Sequence, residues 1–129
     1  MSDRRSIDIE GFSHGQPIPS ASRIGPLVMT GGVFGVDRAN GEIPEELEAQ
    51  TRLMFDNLQR VLAAAGAGWG DVIRMTMYVR DRSARDAINA AWVTAFPDPA
   101  SRPARHTVVS ATLPAGMLVQ CDAVAFIAS

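Results

Sequence analysis

Hydrophobic and polar positions alternate along this chain with two periods, and the boundaries between them predict its elements. From Ala21 to Thr30, two short apolar runs flank Gly25-Pro26, a turn dipeptide, and read as a hairpin. After Gly31-Gly32, Val33 to Val36 extends as a strand edge, and Asn40-Gly41 predicts a tight turn with positive φ. The period then lengthens. Leu47, Met54, Leu58, Val61 and Leu62, with Thr51 on the same stripe, predict a helix over about 44–65. Pro44 suits its first turn, Glu45, Glu46 and Glu48 suit the positive end of its dipole, and Gly66 suits its C-terminal cap.

From Asp71 to Arg80 the period is two: Ile73, Met75, Met77 and Val79 alternate with Arg74, Thr76, Tyr78 and Arg80, the pattern of a strand covered on one face. Ser83 is placed to cap a second helix running through Ala84, Ala87, Ile88, Ala91, Trp92 and Ala95. This helix ends near Phe96-Pro97, because proline restricts the residue before it. Two strands close the chain, around His106 to Ser110 and Leu118 to Ile127, joined through Leu113-Pro114-Ala115-Gly116. The order of strands, helix, strand, helix, strands predicts an α+β fold with two helices on one sheet face.

At 129 residues the chain suits a single domain, residues 1–129, that buries roughly two-thirds of its unfolded surface. With 47% hydrophobic and 20% charged residues it falls outside the disordered and fibrous classes. No apolar run is long enough for a membrane span, and MSDRRSIDIE carries acids where a signal peptide has its apolar core, so a cytoplasmic protein is expected. One cysteine and two distant histidines, His14 and His106, make a metal centre unexpected. The net charge of −2 disfavours a nucleic-acid partner. All twelve basic residues are arginine, which excludes lysine chemistry and leaves planar forks suited to carboxylates.

In Arg102-Pro103-Ala104-Arg105-His106-Thr107 a guanidinium sits where a proline-stiffened loop meets a strand, so Arg105 is a candidate anchor for a small carboxylic acid. Strand alternation from Arg105 points His106 away from it. On the last strand, Gln120 and Asp122 share one face and Val119, Cys121 and Ala123 the other; the polar pair needs water, a subunit partner or a ligand. Cys121, among small apolar neighbours, reads as packing. A Ser-His-Asp hydrolase would have to use His14 or His106 without any G-x-S-x-G pattern, and no G-x-G-x-x-G bridges a strand and a helix.

Several segments, in order, resemble the RidA/YjgF family of reactive intermediate deaminases, which also carries the older label endoribonuclease L-PSP. They are Ile24-Gly25-Pro26-Leu27-Val28-Met29-Thr30-Gly31-Gly32, Gly41-Glu42-Ile43-Pro44, Glu48-Ala49-Gln50-Thr51-Arg52, Asn57-Leu58, Ala64-Ala65-Gly66 and Asp71-Val72. Asn89, Arg102-Pro103-Ala104-Arg105 and Leu113-Pro114-Ala115-Gly116-Met117-Leu118-Val119 complete the series, so the resemblance covers nearly the whole chain. It implies a chorismate-mutase-like α+β sheet packed by two helices, assembled as a homotrimer with a central β-barrel and clefts between subunits. The implied activity is cofactor-free hydrolysis of enamines and imines such as 2-aminoacrylate and 2-iminopropionate to a 2-keto acid and ammonia.

Carried over by position, the resemblance makes Arg105 the grip on the substrate carboxylate, puts the Thr107 backbone against substrate and water, and lines the cleft with Asn89 and Gly32. The chain departs from the family pattern at two places. Gln120 stands where catalytic members have a glutamate that handles the attacking water, and a carboxamide orients water but exchanges no proton at neutral pH. Pro19, within Pro17-Ile18-Pro19-Ser20, stands where the family has an aromatic residue. Three functions therefore compete: a deaminase using Arg105 and Gln120, a carboxylate-binding module without turnover, and a ribonuclease or translation inhibitor, which the net charge disfavours.

Overall fold

The computed structural model describes residues 3–12 and 15–128, so His14 lies outside the described residues. Seven strands form one sheet: β1 (Arg5–Ile7), β2 (Ala21–Ile24), β3 (Leu27–Thr30), β4 (Val33–Phe34), β5 (Val72–Val79), β6 (Ala104–Val109) and β7 (Val119–Phe126). Two helices, α1 (Leu47–Ala64) and α2 (Arg85–Ala95), fall between β4 and β5 and between β5 and β6. The spatial order is β1-β2-β3-β7-β5-β6, with β4 continuing beyond β3 along β7. The β5–β6 pair, joined through α2, is parallel and every other pair is antiparallel. This is the expected α+β sheet with two helices.

The period-two pattern of β7 sorts its side chains by face. Val119, Cys121, Ala123 and Ala125 are buried against the helices together with Val28, Val33, Met75, Met77 and Val79. From α1, Met54, Leu58, Val61 and Leu62 cover them, and from α2, Ile88 and Trp92. The hairpin turns at Gly25, φ +54°, pairing Ile24 with Leu27, and Gly41 takes φ +75° at the expected tight turn.

Four local expectations are corrected. Strand β1 is too short to carry a readable period and was not expected. Helix α1 begins at Leu47, three residues after Pro44, whose carbonyl instead accepts a hydrogen bond from the Gln50 side chain at 2.8 Å. Ser83 does not cap the second helix: a 3₁₀ turn over Arg82–Ala84 precedes α2, the Asp81 carboxylate caps that turn by accepting from Ser83 N–H at 2.8 Å, and α2 starts after Ala84 with no side-chain cap. The alternation in β5 breaks at a bulge between Val72 and Arg74, so Val72 takes the buried place and Ile73 turns outward, 61% exposed.

Two buried polar side chains tie loops to α1. Asn57 donates to the carbonyls of Phe34 and Val36 at 2.9 and 2.8 Å and accepts from Arg38 at 3.0 Å. Gln50 donates to Gly116 O and accepts from Leu118 N–H, both at 2.8 Å, holding the turn before β7. Beside it Gly35 lets β4 approach α1 so closely that a Cβ there would collide with the Gln50 carbonyl. Among the described residues no helix is long and apolar enough to cross a membrane.

Candidate functional site

The parallel register of β5 and β6 pairs Met75 with Arg105 and Met77 with Thr107, which puts Arg105 and Thr107 on the helix-covered face, at the edge of the sheet beside α2. Arg105 is held there from two directions. Its Nη2 donates to Asn89 Oδ1 at 2.8 Å, and its guanidinium lies 5.0 Å from the Trp92 ring centroid, within cation–π range. The sequence readings of Arg105, Asn89 and Thr107 therefore converge on one place. Trp92, which the helical stripe marked simply as core, supports the arginine.

Arg105 and Thr107 open onto a cavity of about 150 Å³ whose other walls include Val79, Ile88, Arg82 and Arg85. Partial burial, and then the like charge of Arg85, push the Arg105 pKa below its ordinary value, and the guanidinium remains a cation. Neither Arg82, Arg85 nor Arg105 forms an ion pair with a described carboxylate. Such a cavity can hold a small anion, with spare donors on Arg105 presenting a fork to a carboxylate. The sequence reading missed Arg82 and Arg85. Their spacing of three at a helix start, which puts both on one side, was the available signal.

Gln120 lies elsewhere. It pairs with Tyr78 across β5 and with Phe34 across β4, on the sheet face away from the helices. Its carboxamide lies over Gly32, where a Cβ would collide with it, and it makes no hydrogen bond among the described residues. The bend from β3 to β4 that creates this space is held by the Thr30 hydroxyl, which accepts from Ala123 N–H at 2.9 Å. The Pro17–Ser20 stretch runs alongside, with Gly31 N–H donating to the Ser20 carbonyl at 2.8 Å. Gln120, Gly32 and Pro19 thus gather near one bend. Arg105, Asn89 and Thr107 gather under α2, so one chain holds two groups on opposite faces of its sheet.

Two other polar residues of the open face, Asp122 and His106, are engaged. Asp122 accepts from the Tyr78 hydroxyl at 3.0 Å, which answers why an acid stands on this strand, and that hydrogen bond leads the causes that push the Tyr78 phenol above its ordinary value. His106 lies across from Thr76, pointing away from Arg105 as alternation predicts, with its Nδ1 3.0 Å from Arg74 Nη2. Cys121 is fully buried and burial pushes its thiol well up, which agrees with a packing role.

With this geometry in place, comparisons with known proteins agree with one another. The family model described as Endoribonuclease L-PSP matches residues 15–127. A 2-iminobutanoate/2-iminopropanoate deaminase of Escherichia coli K12 is 32% identical over 103 residues, which cover 79% of this chain and 80% of that protein. Among solved structures, RidA from the Antarctic bacterium Psychrobacter sp. PAMC 21119 superposes with a TM-score of 0.88 at 27% identity, covering 95% of this chain and 99% of that one. The YjgF gene product of E. coli gives 0.85 at 29% identity, covering 95% and 98%.

Proposed function

Because this chain belongs to the endoribonuclease L-PSP family, the family of RidA and YjgF, we propose that it hydrolyses the imine or enamine of a small carboxylic acid to a 2-keto acid and ammonia. The observation that carries this reading is Arg105, clamped by Asn89 and Trp92 and facing a small cavity with its remaining donors. The deaminase name of the E. coli relative supports the same chemistry.

In this reading Arg105 grips the substrate carboxylate as a fork, Asn89 keeps that fork oriented, and Thr107 lines the cavity against substrate and water. Water adds to the C=N carbon, the resulting carbinolamine expels ammonia, and the carbonyl of a 2-keto acid remains. Gln120 orients the attacking water. Since Gln120 and Arg105 occupy opposite sheet faces of one chain, the complete cleft joins Arg105 of one subunit to Gln120 of another in a homotrimer. No cofactor is needed, because the imine carbon is already electrophilic.

The test is ammonia release from freshly generated 2-iminopropionate by the native protein, Arg105→Ala and Gln120→Glu, each checked for its assembly state. Arg105→Ala should lower kcat/KM roughly a hundredfold or more, since charge-assisted bonds to the carboxylate are lost. Gln120→Glu should raise kcat by supplying a group that exchanges protons, an effect typically worth about 10² to 10⁴. Full activity in folded Arg105→Ala would overturn the reading. A native protein that binds 2-keto acids without releasing ammonia, with activity gained in Gln120→Glu, would favour the binding module. Salt-dependent RNA binding would favour the ribonuclease.

A further inference from the structure

We propose that the imino acid taken by this site is a dicarboxylate, with Arg85 and Arg82 gripping the distal carboxylate while Arg105 holds the one beside the imine. The inference rests on the deaminase reading of the same cavity and adds the substrate class.

Three arginines line a single space of about 150 Å³, and none forms an ion pair with a described carboxylate. A monocarboxylate bound to Arg105 would neutralise one of these charges and leave two cations facing a partly closed cavity. A second carboxylate removes that imbalance. Arg85 and Arg105 line the same cavity, and after partial burial the like charge of Arg85 also lowers the Arg105 pKa. The geometry of the chain keeps them together. Asp81 caps the 3₁₀ turn that carries Arg82, and α2 begins directly with Arg85, so its positive dipole end adds in the same sense.

Val79 and Ile88 line the same space and supply an apolar wall suited to the methylenes that separate two carboxylates. This chain's share of the cleft, about 150 Å³, is on the scale of a four- or five-carbon acid. The class that fits is the imine of a four- or five-carbon amino dicarboxylate, hydrolysed to the corresponding 2-keto dicarboxylate and ammonia.

The experiment compares 2-iminopropionate with 2-iminoglutarate, each generated in situ, on the native protein and on Arg82→Gln, Arg85→Gln and the double variant. Both side chains are exposed, so folding should survive, and circular dichroism checks it. The native protein should favour the dicarboxylate about tenfold to a hundredfold in kcat/KM, and the double variant should lose most of that ratio. Equal turnover of the two imines, or a ratio unchanged in the variants, overturns the inference and leaves the deaminase reading intact. Should neither imine be hydrolysed, the deaminase reading fails, and calorimetric binding of 2-oxoglutarate against pyruvate decides the charge argument alone. At least tenfold tighter 2-oxoglutarate binding that disappears in the double variant supports the dicarboxylate pocket; equal or absent binding overturns it.

Discussion

At the scale of single residues, each polar group near the candidate site is set by what holds it. In the proposed reading, Asn89 and Trp92 restrict Arg105 before any ligand arrives, which lowers the ordering cost of binding. Asp122 could be mistaken for a spare catalytic acid, but Tyr78 donates to it. Because Tyr78 is the chain's one tyrosine, this pair is directly readable by alkaline absorbance titration. A phenol that donates to a carboxylate resists ionisation, since the phenolate loses the bond and gains a like charge. The native titration should lie above the ordinary tyrosine range, and Asp122→Asn should move it down toward that range. An unchanged titration in a folded Asp122→Asn protein would mean that Asp122 does not hold the phenol.

At the scale of elements, the site depends on how closely α1 and α2 sit on the sheet. Asn57 is the clearest strut, since its buried carboxamide satisfies two carbonyls of the β4 segment and anchors the Arg38 guanidinium. Asn57→Ala removes these bonds, strands two carbonyls and leaves a void, and should cost about 2–4 kcal/mol of stability. Urea unfolding measures it, and a loss below about 0.5 kcal/mol would mean that the strut contributes little. The same change should loosen the bend at Gly31-Gly32 over which Gln120 lies.

At the scale of the whole molecule, the sheet face away from the helices carries Leu27, Met29, Ile73 and Phe126, with Met29 53% and Phe126 54% exposed. Leu27 and Phe126 are direct register partners across β3 and β7, and Met29 pairs with Val124, so the apolar positions form a patch. The homotrimer proposed above would bury this patch. Light scattering should then give about three times the 13.8 kDa chain mass, and Met29→Asp with Phe126→Asp should shift the protein toward monomers while lowering deaminase activity, because Arg105 and Gln120 then no longer meet. A native protein that is monomeric and fully active would overturn both the trimer and the shared cleft.

Periodicity in the sequence was sufficient for most elements, because a side chain's burial follows directly from strand and helix geometry: β7 alternates as read, and the stripe of α1 is the one that packs. Where backbone hydrogen bonding departs from regularity, the period misleads, as with Ile73 at the bulge and Ser83 beside the Asp81 cap. Arg105, Asn89 and Thr107 were identifiable through the family resemblance, yet their convergence depends on a parallel pairing of β5 and β6 that local pattern does not encode. Arg82 and Arg85 read as ordinary surface charges until the fold brings Arg105 beside them, and Asn57 reads as a polar residue on a helix until β4 presents its carbonyls. The sequence alone thus determined which residues turn inward along most elements, since that rests on local geometry. The tertiary structure decided which distant side chains share a cavity and which lie on opposite faces, since that depends on strand order and register.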